Sequence, residues 1–81
     1  MSETKSVVTV NDYGKIKLCL KKMTDERRLT RNYLAKAANT RFEVIDKWYR
    51  NDVEKLDLDV LARICYVLDC TPADLIEYEN E

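Results

Sequence analysis

Side chains that can bind phosphate or the edges of nucleic-acid bases are concentrated between positions 31 and 50. They are Arg31, Asn32, Arg41, Lys47 and Arg50. Lysine and arginine neutralise phosphate, and the planar arginine side chain can also donate two hydrogen bonds to a guanine edge. This set favours contact with a nucleic acid, although the same residues could simply keep an exposed helix soluble.

Two acidic residues and one aromatic residue interrupt this basic segment. Glu43 and Asp46 would repel phosphate unless they pair with a neighbouring cation. Phe42 could contact a base, a second subunit or the protein's own core. These three residues leave a second interpretation open, in which the segment binds a partner protein instead of DNA.

The charge of the 81-residue chain is distributed unevenly along its length. Residues 1–50 contain 12 Lys and Arg against 6 Asp and Glu, whereas residues 51–81 contain 2 against 9. The net charge of −1 hides this difference between a half at +6 and a half at −7. The asymmetry predicts a basic half that faces phosphate and an acidic half that faces away from it.

The composition argues against catalysis and against metal binding. The chain has no histidine and a single glycine, so it offers no histidine base and no glycine-rich phosphate loop. Cys19, Cys65 and Cys70 are odd in number and lack a paired spacing, so we expect buried, reduced thiols. No apolar stretch approaches the roughly 20 residues of a membrane span. We therefore expect a cytoplasmic protein without a cofactor, a metal or a small-molecule substrate.

Hydrophobic periodicity and capping signals predict five helices and an all-α fold. The predicted helices cover residues 12–25, 30–38, 41–49, 57–69 and 72–78. The predicted core comprises Leu20, Leu34, Ala35, Ile45, Trp48, Leu61, Ile64, Leu68 and Leu75.

The two terminal helices are predicted from short apolar patterns. Ile16, Leu20 and Met23 stand at i, i+4 and i+7, the spacing of one buried helix face. In the last helix, Ile76 and Tyr78 are expected to help Leu75 cover the core.

Polar residues mark the predicted helix ends. Thr30, Asp57 and Thr71 each precede a helical pattern and can accept hydrogen bonds from the first backbone N–H groups. Asp74 completes an N-terminal signal that begins at Thr71. Asn39 directly follows the second helix, and its tolerance of the left-handed conformation would end that helix sharply.

The second and third predicted helices form a helix-turn-helix. Ala35 is the small residue at their crossing, Asn39 supplies the turn, and Ile45 and Trp48 form the inner face of the third helix. The outer face of that helix then projects from the domain and fits the roughly 12 Å major groove of B-form DNA.

At this point the chain resembles the lambda-repressor-like, Cro-type helix-turn-helix family, also described as the xenobiotic-response-element family. The matching segments are 29–35 (LTRNYLA), 39–41 (NTR), Ile45, 48–51 (WYRN), 58–65 (LDVLARIC) and 68–76 (LDCTPADLI). The resemblance covers about residues 13–78. The chain departs from the family where Asn39 replaces the usual glycine of the turn and Arg31 the usual glutamine.

The resemblance implies that the third helix reads DNA. Phe42, Glu43 and Lys47 stand at the usual base-reading positions, and Arg41 stands where the family usually has serine or threonine. Phe42 could contact a thymine methyl group, and Glu43 could accept a hydrogen bond from a cytosine amine. We expect Arg41 and Lys47 to make the main DNA contacts.

Three other residues are expected to contact the DNA backbone. Arg31 and Arg50 are better placed to bind phosphate than to read bases, and Asn32 could donate a hydrogen bond to phosphate.

The sequence therefore predicts a compact five-helix, lambda-repressor-like domain over residues 11–81. Residues 1–10 form an N-terminal arm that is either mobile or a short strand at Val7–Val10. The predicted function is that of a non-catalytic, sequence-specific transcriptional regulator, which places helix 41–49 in the major groove of double-stranded DNA. We expect a homodimer, joined through the fifth helix or the arm, because one short helix makes few base contacts. The alternative is a protein-interaction module of the same fold, with an antitoxin-like or anti-regulator role.

Overall fold

A computed structural model describes residues 13–80 of the chain. The predicted arm at residues 1–10 lies outside the described residues. The elements are, in chain order, β1 (Lys15–Leu18), α1 (Leu20–Glu26), α2 (Arg31–Ala37), α3 (Phe42–Tyr49), α4 (Leu58–Leu68), α5 (Pro72–Leu75) and β2 (Ile76–Glu79). Five helices are thus confirmed, but the all-α class is wrong in detail because β1 and β2 form a small antiparallel sheet.

The first predicted helix is wrong over its N-terminal half. Residues 15–18 form strand β1, and α1 begins at Leu20 with Cys19 as its N-cap residue. The sequence from Lys15 to Leu18 alternates charged and apolar residues, which suits a strand as well as a helix face. Ile16, expected on the buried face of that helix, is 59% exposed.

The last predicted helix is also too long. Helix α5 ends at Leu75, and the chain continues as β2, which pairs with β1 so that Ile16 lies opposite Tyr78 and Leu18 opposite Ile76. The backbone N–H of Cys19 donates to the carbonyl of Leu75 at 2.7 Å and extends this ladder. Tyr78, expected to cover the core, is 61% exposed. Pairing across the whole domain therefore replaces local helix formation at both ends.

The core lies where the five helices meet. All nine residues predicted to be buried are buried, and Leu20, Leu34, Ile45, Ile64 and Leu75 have no exposed surface. The sole tryptophan, Trp48, is 2% exposed. The three cysteines are free but only half-buried, so the expectation of fully buried thiols is wrong.

The capping signals at Thr30 and Asp57 form as the sequence predicts, whereas the Thr71 hydroxyl donates to the Asp74 carboxylate at 3.1 Å. The Thr30 hydroxyl accepts from the N–H of Tyr33 at 3.0 Å, and Asp57 caps α4 in the same way. At α5, the Asp74 carboxylate accepts from the backbone N–H of Thr71 at 2.9 Å. This contact lowers the pKa of Asp74 below its ordinary value, because hydrogen bonds from Thr71 stabilise the charged form.

The turn between α2 and α3 fixes the angle of the two helices. Asn39 has a φ of 52°, the left-handed conformation expected from its side chain. The carbonyl of Ala35 accepts from the N–H of Thr40 at 2.9 Å, and Ala35 and Ala38 are both buried. The small alanine side chains let α2 and α3 approach closely.

Replacing Ala35 by leucine should therefore destabilise the domain. We expect a loss of about 1 to 3 kcal/mol in the free energy of unfolding, because the added atoms overpack a well-filled crossing. Urea denaturation followed by circular dichroism would measure it, and Ala73→Leu, at an exposed position of α5, is the control. A wild-type midpoint for Ala35→Leu would show that this residue does not lie at the crossing.

Among residues 13–80, no helix is both long enough and apolar enough to cross a bilayer.

Candidate nucleic-acid interface

The outer face of α3 carries the side chains that the sequence assigns to DNA contact. Ile45 and Trp48 anchor the inner face in the core, while Glu43 and Lys47 are exposed on the other side. Phe42 is 39% exposed at the first helical position. Because its inner face is buried, the helix presents these side chains from a fixed backbone.

Arg41 and Lys47 are the cations best able to bind an incoming anion on this face. Both are exposed, and neither takes part in an ion pair found within residues 13–80. Arg41 is the N-cap residue of α3 and has an extended backbone. Six residues of helix separate positions by about 9 Å along the axis and about 120° in rotation. The two side chains can therefore flank one strip of the helix surface.

Asp46 lies between two of the predicted phosphate-binding residues. Its Oδ1 accepts from Nη1 of Arg31, and its Oδ2 accepts from Nε of Arg50 at 3.1 Å. The Asp46 side chain is only 22% exposed. The repulsion expected between Asp46 and phosphate is thus offset by two cations, one of which comes from α2.

Arg31 is held by aromatic rings as well as by charge. Its guanidinium lies 4.6 Å from the centre of the Tyr49 ring and 5.7 Å from that of Phe42. Such cation–π contacts restrict the side chain without using its N–H donors. The sequence gives no signal for this role of Tyr49, because the contact joins two helices and has no local spacing.

Tyr49 links the interface to α1. Its hydroxyl donates to Oδ1 of Asp25 at 3.1 Å, and Lys21 donates to Oδ2 of the same carboxylate at 3.0 Å. The bond from Lys21 holds the pKa of Asp25 below its usual value, and the same bond raises the pKa of Lys21. The four-residue spacing of Lys21 and Asp25 is typical of an ion pair on one helix face, so the sequence contains a signal for this contact but not for the one from Tyr49.

An open groove of about 580 Å³ lies beside this network, between β1, α1 and the end of α3. Lys17, Lys21, Lys22 and Arg50 are among the residues that line it. Asp25 and Glu77 line it too, so the four cations exceed the acids by two, and Lys17 and Lys21 are paired with Glu79 and Asp25. The sequence assigns no role to the three lysines, because its periodicity predicts a helix where β1 forms.

Two asparagines near the interface have different surroundings. Asn32 is exposed on the first turn of α2, next to Arg31. Asn51, just after α3, has a φ of 58°, and its Oδ1 accepts from the N–H of Leu18 at 2.9 Å. Asn51 therefore ties the loop after α3 to strand β1.

Two of the three cysteines have poorly ionised thiols. Burial raises the pKa of the Cys19 and Cys70 thiols, which keeps both protonated at neutral pH. Within the described part of the chain, no group of three or more Cys, Asp or Glu residues comes together to hold a metal ion.

A known protein family matches most of this chain. The model of the Cro/C1-type helix-turn-helix DNA-binding domain matches residues 19–81. The chain belongs to this family. The match includes all five helices and strand β2 of the Cro/C1-type domain and begins after β1.

Two solved structures share the Cro/C1-type fold. A Bacteroides fragilis protein assigned as DNA-binding has 24% identity and a TM-score of 0.68, and the match covers 78% of this chain and all of that one. The transcriptional regulator VanUg has 23% identity and a TM-score of 0.68, with full coverage of both chains. At these identities the structures show a common fold. No curated protein matches the chain.

Proposed function

We propose that this Cro/C1-type domain is a sequence-specific transcriptional regulator that inserts α3 into the major groove of double-stranded DNA. The observation that carries the proposal is the exposed face of α3, where Arg41 and Lys47 have no acidic partner within the described residues. A buried inner face supports this use, since Ile45 and Trp48 hold the helix rigidly. Such a regulator works in the compartment that contains the DNA. The proposal therefore includes a cytoplasmic location and a non-catalytic role.

The proposal assigns base contacts to the start of α3. Arg41 donates to a guanine edge, Phe42 packs on a thymine methyl group, and Glu43 accepts from a cytosine amine. Exposure of all three side chains supports these roles.

Backbone contacts surround the helix in this proposal. Lys47, Arg31 and Arg50 bind phosphate, and Asn32 donates a hydrogen bond to it. The groove beside β1 and α1 extends the same surface, and Lys22, which is in no ion pair found within residues 13–80, is its cation best able to bind a further phosphate.

The decisive experiment is selection of bound sites from a random DNA pool, followed by gel retardation of the selected site and of random DNA. We expect saturable, sequence-dependent retardation. Absence of any retardation at low salt would support the alternative protein-interaction module, in which Glu43 and Asp46 face a partner protein.

Lys47→Ala should weaken binding to all DNA sequences about equally. A lost phosphate contact lowers the slope of log affinity against log salt by roughly one unit and leaves the ratio of specific to random binding unchanged. Affinity titrations between low and moderate salt would measure both quantities. An unchanged slope would show that Lys47 does not contact phosphate.

We further propose that the regulator binds DNA as a homodimer, because two half-sites double the base contacts of one short helix. The predicted Val7–Val10 arm lies outside the described residues, but the sheet offers a surface. Ile16 and Tyr78 form a cross-strand pair on the same face of the sheet as the buried Leu18. Their side chains nevertheless remain 59% and 61% exposed. A two-fold axis would let the same apolar pair of a second copy cover them.

Sedimentation tests this dimer. We expect the wild-type protein to be dimeric, Ile16→Ser to shift it toward monomer, and Leu58→Ser to leave it unchanged, since Leu58 is an exposed leucine on α4. A wild-type monomer, both free and on DNA, would contradict the homodimer.

A further inference from the structure

Asp46 lies at the centre of the proposed interface and binds two cations of that interface at once. The two oxygens of Asp46 accept from different arginines, Arg31 on α2 and Arg50 at the end of α3. An arginine side chain has five N–H donors in a fixed fork. Each guanidinium therefore keeps donors for a phosphate while Asp46 holds it.

The orientation of Arg31 is fixed from three sides. Asp46 accepts from one of its nitrogens, and the rings of Tyr49 and Phe42 lie 4.6 and 5.7 Å from the guanidinium carbon. The Tyr49 ring is itself held through the hydrogen bond from its hydroxyl to Asp25. The Arg31 side chain nonetheless remains 40% exposed, so it can reach a ligand.

We propose that Asp46 is a positioning residue that fixes Arg31 and Arg50 relative to each other for contact with the DNA backbone and thereby contributes to sequence specificity. This inference rests on the proposed DNA-binding function. Phosphate contacts carry no sequence information themselves, but they fix the register of a protein on the duplex. Arginines held in place by Asp46 contribute fully only when α3 is in register with its site, and they contribute less on random DNA.

The direction in which one substitution changes DNA affinity distinguishes positioning by Asp46 from a simple effect of its charge. Asp46→Asn removes a negative charge next to phosphate, so electrostatics alone predicts tighter binding to every sequence. Positioning predicts weaker binding to the selected site, because both arginines lose the carboxylate that joins them. Arg50 then keeps only the more distant Asp52, whose Oδ2 lies 3.9 Å from Nη1 of Arg50. We expect affinity for the selected site to fall about tenfold, as befits a lost charged hydrogen bond, and affinity for random DNA to stay equal or rise.

The matched control is Asp59→Asn on α4. Asp59 accepts from Nε of Arg63, four residues along its helix, at 2.9 Å, and so repeats the pair of Asp46 with Arg50. It loses the same charge at a position outside the proposed interface. Nη1 of its partner Arg63 also donates to the carbonyls of Ala38 and Asn39 in the turn, and Asp59→Asn leaves those donors in place. We expect both affinities of Asp59→Asn to match those of the wild type.

A second variant tests the same inference without changing charge. Arg31→Lys keeps the cation but loses the planar group that lies against Tyr49 and Phe42. We expect the same preferential loss on the selected site as for Asp46→Asn. This variant also decides the question if circular dichroism shows that Asp46→Asn does not fold.

A double-mutant cycle tests whether Asp46 acts through the arginines. In an Arg31→Ala, Arg50→Ala background, Asp46→Asn should no longer weaken binding to the selected site. Equal or tighter binding of the selected site by Asp46→Asn in the otherwise wild-type chain, with an unchanged ratio to random DNA, would overturn the inference. A wild-type protein that does not bind DNA would instead overturn the proposed function and this inference with it.

Discussion

Trp48→Ala is expected to lower the free energy of unfolding by about 3 to 5 kcal/mol, the usual cost of removing a buried tryptophan side chain. Trp48 is 2% exposed and belongs to the main hydrophobic cluster, so its loss leaves a cavity behind α3. A domain of 81 residues has a total stability of about 4 to 12 kcal/mol. The variant should therefore lose from about a quarter to all of that stability.

Circular dichroism in a urea series is the appropriate measurement. Trp48 is the only tryptophan, so its fluorescence cannot report on the variant. Tyr66→Ala, at an aromatic residue that is 87% exposed, is the control and should change stability by no more than about 0.5 kcal/mol. If Trp48→Ala unfolds at the wild-type midpoint, α3 is not anchored as described.

Arg41→Ala is expected to reduce binding to the selected DNA site by about 1 to 3 kcal/mol, with a much smaller loss on random DNA. A bidentate contact to a guanine edge exists only on the correct base, so its removal relaxes specificity at that position. Stability should not change, because Arg41 is exposed and makes no side-chain capping bond to α3.

Binding titrations on the selected site, on single-base variants of it and on random DNA would measure this effect. Lys15→Ala is a charge-matched control, since Lys15 is an exposed cation on strand β1. An equal loss for Arg41→Ala on every sequence would make Arg41 a phosphate contact. If Arg41→Ala and Lys47→Ala both keep wild-type affinity, specificity and salt slope, α3 does not read DNA and the protein-interaction module becomes the better proposal.

The helix-turn-helix and its supporting core could be predicted from the sequence because their signals are local. Thr30 and Asp57 cap helices through bonds to residues two or three positions away. Asn39 ends α2 through its own backbone conformation. The apolar spacing of Ile45 and Trp48 in turn identifies the buried face of α3 directly.

The ends of the domain could not be predicted in the same way. Residues 15–18 fit both a helix face and a strand, and their partner strand begins at Ile76, far along the chain. The single glycine shows how close this contact is, since a Cβ at Gly14 would lie 2.2 Å from the backbone oxygen of Glu79. Local periodicity contains no information about such a partner, so it predicts a helix where a strand forms.

The sequence by itself determined which residues form the helix-turn-helix, its core and the cations of its outer face, because each of these depends on spacing within one or two turns of helix. Only the tertiary structure decided how those cations are used. Arg41 and Lys47 have no acidic partner within residues 13–80, whereas Asp46 and Tyr49 hold Arg31 across the gap between α2 and α3. The physical reason is that ion pairs and ring contacts between helices depend on distances in space, which are set only when the helices pack.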